Sequence, residues 1–197
     1  MSIDIEMIKE LRQQTGAGVL DCRNALEEAG GDMANAVELL RKQGLAIATK
    51  KADREAKEGL VEAYIHAGGK LGVLLELNCE TDFVARTDDF RELAHDLAMQ
   101  VAATNPRYLT PGEVPPEVLE RERQRHQEEL REEKPEDVIE RIVEGKLQKY
   151  YQEVCLLEQP FIKDEGLTVR DLITSKIAKL GENIRVRRFA RFELEEG

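Results

Sequence analysis

The chain has no tryptophan, and aromatic residues make up only 5% of it. A surface that grips nucleic acid by stacking bases needs aromatic rings interleaved with cations. Beyond Phe189 and Phe192, beside a run of arginines near the end, no such platform is present. Positive charge is also short: 29 lysines and arginines face 40 acids, a formal net charge of −11. An acidic chain repels phosphate backbones and anionic membrane surfaces alike, so the expectation is no direct nucleic acid and no membrane among its partners.

Cysteine is scarce: Cys22, Cys79 and Cys155 are widely separated. Their spacing suits neither a disulfide framework nor a zinc site. Each has apolar neighbours, so all three are expected to be reduced, buried small hydrophobes. Long hydrophobic runs are missing, and the longest, near Val73 to Leu77, is far too short to span a bilayer. Residues 1–10 carry acids where a signal peptide carries lysines and then an apolar stretch. A cytoplasmic protein is expected, without metal or other cofactor.

Catalytic signatures are absent too. His66, His95 and His126 lie far apart and read as surface histidines. There is no Gly-x-Ser-x-Gly elbow, Walker loop or Gly-x-Gly-x-x-Gly. Gly16-Ala17-Gly18 lacks a preceding strand and a third glycine, and reads as a loop between helices. Asp88-Asp89 opens a helix, where carboxylates favour the positive end of the dipole. The sequence therefore argues against an enzyme.

What is present is charge and pattern. Charged residues form 35% of the 197, against an average of about 25%, which favours exposed helices and ion-pair networks. The length allows one or two domains and a real core. Residues 1–45 read as three short helices. Ile5, Ile8 and Leu11 mark the first; Leu20, Ala25, Leu26 and Ala29 the second; Ala36, Val37, Leu39 and Leu40 the third, which Gly44 is expected to close. Residues 46–58 read as a solvated helical linker and domain boundary. Residues 59–197 read as an α+β core. It starts with a hairpin turning at Ala67-Gly68-Gly69-Lys70 and continues with a helix through Phe90 and Leu97 ending near Asn105-Pro106. A charged helical arm follows at about 116–155, broken at Lys134-Pro135. Thr168 caps a last helix that Gly181 stops. In residues 183–194, Ile184, Val186, Ala190, Phe192 and Leu194 are expected on one side of a strand, with Arg185, Arg187 and Arg191 mostly on the other. The predicted fold class is α+β, a three-stranded antiparallel sheet packed with helices behind a small helical domain.

The richest stretch runs from Glu76 to Arg86, where the apolar strand gives way to a helix. Thr81-Asp82-Phe83-Val84 sits at the corner. Capping explains part of it: Thr81 or Thr87 as N-cap, Asp82 near the dipole, Phe83 and Val84 as core. The other reading has Asp82 and Phe83 projecting from the corner as a charged and aromatic wedge. The arginines at 185, 187, 188 and 191 suit RNA or phosphate binding, or edge protection and pairing with acidic helices.

Several ordered strings give the chain a resemblance to bacterial elongation factor Ts, in its short single-core form. They are Ile8-Lys9-Glu10-Leu11-Arg12, Thr15-Gly16-Ala17-Gly18, Asp21-Cys22-Arg23-Asn24-Ala25-Leu26 and Lys50-Lys51-Ala52. Glu76-Leu77-Asn78-Cys79-Glu80-Thr81-Asp82-Phe83-Val84-Ala85 is the most distinctive, and Leu156-Leu157-Glu158-Gln159-Pro160-Phe161 and Gly181-Glu182-Asn183-Ile184 complete the set. The resemblance implies a guanine-nucleotide exchange factor for the GTPase elongation factor Tu. It implies that residues 1–45 form a domain like the ubiquitin-associated type, docking through Val19 and Leu20. It implies that Thr81, Asp82, Phe83 and Val84 dislodge Mg²⁺ from the partner so that GDP leaves. Longer members carry two copies of the core, so a homodimer through the C-terminal core is expected here, with 183–194 as seam. A passive binding module and an RNA-binding ribosome accessory protein are the alternatives.

Overall fold

The computed structural model describes residues 3–131 and 135–194. Three helices come first: α1 (Ile5–Thr15), α2 (Val19–Glu28) and α3 (Met33–Lys51). Asp4 caps α1 by accepting from the Glu6 amide, and Asp32 caps α3 by accepting from the Asn35 amide at 2.9 Å. Leu11, Cys22, Ala25, Leu26 and Ala36 are buried between the helices. So small a core gives this bundle little stability of its own.

The third helix does not end at Gly44, as the sequence suggested. It runs seven residues further, to Lys51. Glycine ends a helix where the chain turns left-handed, but Gly44 is followed by the good helix formers Leu45-Ala46-Ile47-Ala48. Its bare backbone also packs on α8 (Val169–Leu180), where an added Cβ would lie 3.8 Å from both Ala178 Cβ and Thr174 Cγ2. Burial there outweighs a propensity penalty of about 1 kcal/mol. The supposed solvated linker is therefore partly docked: Ala48 packs on the main core and Ala56 is buried. Arg41 pairs with Asp171 at 3.3 Å across the same contact.

The hairpin comprises β1 (Glu58–Ile65) and β2 (Leu71–Cys79), antiparallel, with Leu60 opposite Leu77 and Tyr64 opposite Val73. The order of the sheet is β1-β2-β5, with β5 at Arg185–Glu193, so β2 is central. Its inward residues Val73, Leu75, Leu77 and Cys79 are buried, as the alternation required. They rest on α5 (Asp88–Thr104) through Phe90, Leu93, Leu97 and Val101, and on α8 through Val169, Ile173 and Ile177. A short helix, α4 (Asp82–Ala85), fills the corner between β2 and α5. Thr168 caps α8 and Gly181 ends it, both as expected; Asp171 completes a capping box with Thr168.

The last strand departs from simple alternation. Leu77 lies opposite Val186, but Glu76 lies opposite Arg188, so Arg187 is an extra residue in a β-bulge. One inserted residue exchanges the faces of everything beyond it. Ile184 and Val186 are buried, but Ala190, Phe192 and Leu194 face outward. Arg191 turns inward to donate to the Ala102 carbonyl at 3.2 Å, and Phe189 packs against the core. The predicted one-sided set at 184–194 is therefore split, and Arg191 leaves the basic strip. Arg188 pairs with Glu76 on the neighbouring strand at 2.7 Å, not with an acidic helix.

The arm is a helical hairpin, α6 (Pro116–Leu130) and α7 (Glu136–Val154). Pro135 is the N-cap residue of α7; Lys134, the other half of the expected break, lies outside the described residues. Ile139, Val143 and Leu147 form its apolar seam with Leu130. His126 is not a surface residue: its side chain is 12% exposed and meets Glu129 at 3.1 Å. Glu129, held by Lys146 and then by His126, has its carboxyl lowered to about 2. A two-stranded ribbon not foreseen from the sequence, β3 (Pro160–Phe161) with β4 (Asp164–Thr168), leads into α8.

Candidate functional site: the corner between β2 and α4

β2 is locked on both sides by the sheet, so its end is a fixed point from which the corner departs. Thr81 is the N-cap of α4, and its hydroxyl accepts from the Val84 amide at 3.5 Å, a long contact. Asp82 occupies the first turn and accepts from Arg86 at 2.7 Å. Ala85 is buried and Val84 packs partly against the core, which leaves Phe83 pointing away. Its ring is 79% exposed, the most exposed large apolar side chain among the described residues. The sequence left open whether Phe83 was core or wedge; the structure puts Val84 in and Phe83 out.

A four-residue helix closes too few hydrogen bonds to hold itself. The corner is held from outside by the loop between α8 and β5. One Glu182 carboxylate oxygen accepts from the backbone amides of Glu80 and Thr81, each at 3.0 Å. The other accepts from the Thr81 hydroxyl at 2.6 Å. In return the Asn183 amide donates to the Glu80 carboxylate at 2.6 Å. The Asn183 side chain reaches the Ala52 and Arg54 carbonyls, and Lys51 donates to the Gly181 carbonyl at 2.6 Å. The end of α3, the corner and the root of β5 thus share one polar knot. Glu80 and Glu182 entered the sequence reading only as members of the family strings; the bonds between their two segments did not, because those segments lie about a hundred positions apart.

The other named residues sit elsewhere. Val19 and Leu20 open α2 in the N-terminal bundle and are 53% and 67% exposed. His66 and His95, distant in sequence, flank Tyr64: its hydroxyl lies 3.0 Å from His66 Nδ1, and His95 meets it edge-on at 5.7 Å between centroids. The three cysteines are buried and free. Burial pushes the Cys79 and Cys155 thiols up to about 11 and raises Cys22 as well. A thiol so raised is a poor nucleophile. Among the described residues no group of three or more His, Cys, Asp or Glu could hold a metal ion, and no helix is long and apolar enough to cross a membrane.

Fold and site define an α+β protein that presents an exposed ring on a braced corner. Comparison with known proteins gives its class as a translation elongation factor: the family model described as "Elongation factor TS" matches residues 34–176. The chain is 60% identical to Elongation factor Ts of Carboxydothermus hydrogenoformans, over 99% of its own length and 90% of that protein's. It is 58% identical to that of Thermotoga petrophila over 100% and 98%, and 61% identical to that of Moorella thermoacetica over 96% and 94%. The chain belongs to the elongation factor Ts family.

Proposed function

We propose that this protein is a guanine-nucleotide exchange factor that binds elongation factor Tu in its GDP form and speeds GDP release during translation elongation. The observation that carries the reading is the outward Phe83 ring beside Asp82 on a corner tied down by the surrounding fold. An exposed phenyl group is retained at a cost in solvation and suits insertion into a partner. In a P-loop GTPase, Mg²⁺ bridges phosphate oxygens and protein ligands. A wedge made of Thr81, Asp82, Phe83 and Val84 displaces a helix beside that site and dislodges the ion. The diphosphate then loses much of its charge compensation and leaves. No covalent bond changes, so this chain needs no catalytic residue and no cofactor of its own. By reciprocity, nucleotide weakens the factor's grip, and GTP rebinding expels it. Val19 and Leu20, exposed on the N-terminal bundle, serve as the second contact. The expected setting is the cytoplasm. The test is release of fluorescent GDP with catalytic amounts of the chain: a partner held with its off-rate unchanged would favour a passive binding module instead.

The homodimer belongs to the same reading. On the outer face of the sheet, Val61, Ala63 and Ile65 of β1 adjoin Leu74 of β2 and Ala190 and Phe192 of β5. Ile65 and Phe192 are 65% and 69% exposed. Glu76 and Arg188 there are paired with each other, and Arg185 lies at the corner end of the face, opposite Asn78. A three-stranded sheet needs cover, and among the described residues nothing covers this face. The bulge at Arg187 guards the β5 edge, so two chains meet face to face. Leu74→Glu with Phe192→Glu is expected to shift the solution mass from two chains to one; a wild-type chain already monomeric while active would refute the seam.

A further inference from the structure

We propose that Glu182 is the positioning residue of the corner: its carboxylate, gripping the Glu80 and Thr81 amides and the Thr81 hydroxyl, sets the direction in which Asp82 and Phe83 project. The kinetic half of this rests on the exchange-factor reading above; the structural half does not.

Three observations converge on it. α4 spans only Asp82–Ala85, and its cap bond from the Val84 amide to Thr81 is 3.5 Å long. Such a turn has no means of fixing its own axis. The preceding residues Glu80 and Thr81 lie past the end of β2 and outside the sheet ladder, so their amides need acceptors elsewhere. Both find the same one, Oε2 of Glu182, at 3.0 Å. Hydrogen bonds to an ionised acceptor are short and directional, and two amides converging on one oxygen fix the plane of the intervening peptide. The Thr81 hydroxyl, at 2.6 Å from Oε1, fixes the other end of the carboxylate.

Glu182 itself is anchored rather than mobile. It follows Gly181, the left-handed stop of α8, whose carbonyl is held by Lys51. It precedes Asn183, whose amide returns a bond to Glu80 and whose side chain holds the Ala52 and Arg54 carbonyls. The Cys79 thiol adds a weaker tie by donating to the Thr81 carbonyl at 3.1 Å. The corner therefore takes its orientation from a loop about a hundred residues distant. Phe83, 79% exposed, has no core contact to aim it otherwise.

The experiment compares wild type, Glu182→Ala, Glu182→Gln and Phe83→Ala, by amide hydrogen exchange on the free chain and by GDP release at saturating factor. In Glu182→Ala the amides of Glu80 to Val84 should exchange at least about tenfold faster, while those of Phe90 to Val101 keep their protection, because opening is local. Saturating release should fall about 10- to 100-fold, the usual effect of a misplaced reacting group. Glu182→Gln should restore most of both. Its amide oxygen can accept the two backbone donors and its nitrogen can donate to a rotated Thr81 hydroxyl. Unchanged corner exchange in Glu182→Ala overturns the proposal, as does a glutamine variant no better than alanine. If the wild-type chain itself fails to speed release, the exchange-factor reading fails, and Glu182 is then judged on the hydrogen-exchange result; if Phe83→Ala alone releases GDP at the wild-type rate, the ring is not the group that Glu182 aims, and the kinetic half of the proposal falls.

Discussion

Replacing Phe83 with alanine is expected to slow partner GDP release about 30-fold, the equivalent of truncating an interface hot spot worth about 2 kcal/mol. The same change should leave folding stability within about 0.5 kcal/mol, as for exposed positions generally. The two halves together make the prediction sharp. A ring that is 79% exposed contributes almost nothing to its own chain's core, so any large kinetic effect must come from what it touches in a partner. Adding Asp82→Ala should deepen the loss, because Asp82 helps hold Arg86 across the same turn. Stopped-flow release of a fluorescent GDP, with thermal melts of the same preparations, reads both quantities. A double variant that releases GDP at the wild-type rate removes the wedge from the mechanism.

The second large effect is structural. Gly59→Ala is expected to destabilise the chain by roughly 3 kcal/mol or more, a strained-backbone and overpacking effect combined. Gly59 has φ +144°, and an added Cβ would stand 2.1 Å from the Leu77 carbonyl oxygen and 2.8 Å from Asn78 Cα. Those atoms are backbone of the paired strand and cannot swing aside. Gly59 lies opposite Asn78, just before the corner, and the Asn78 side chain donates to the Glu58 carbonyl at 3.1 Å. Relief of the clash would push β1 away from β2 at the base of the site. Urea denaturation should show the loss. An alanine variant within about 0.5 kcal/mol of wild type, an ordinary surface effect, would contradict the close approach.

Much of this architecture was legible because its cause is local. The alternation of Val73, Leu75 and Leu77 fixes the inner face of β2. Thr168 with Asp171 starts α8 and Gly181 ends it through hydrogen bonds spanning a few residues. The corner was legible for the same reason, since a threonine cap and an acid announce a helix start wherever they occur. Three features were not. α3 continues through Gly44 because α8 lies against it, and α8 is more than a hundred residues later. The outward turn of Ala190 and Phe192 follows from the bulge at Arg187, and a bulge is a property of two paired strands. Glu182 was legible as part of a family string, but its grip on the corner was not until the fold brought the two together.

The order of residues by itself determined where the helices begin, the hairpin, the buried face of the central strand and the family, since periodicity and capping act within a turn or two of the chain. Tertiary structure alone decided that Phe83 faces solvent while Val84 faces the core, which way the sheet's apolar outer face is built, and what braces the corner. Those outcomes depend on which distant surfaces compete for the same side chain, and that competition exists only once the chain has closed on itself.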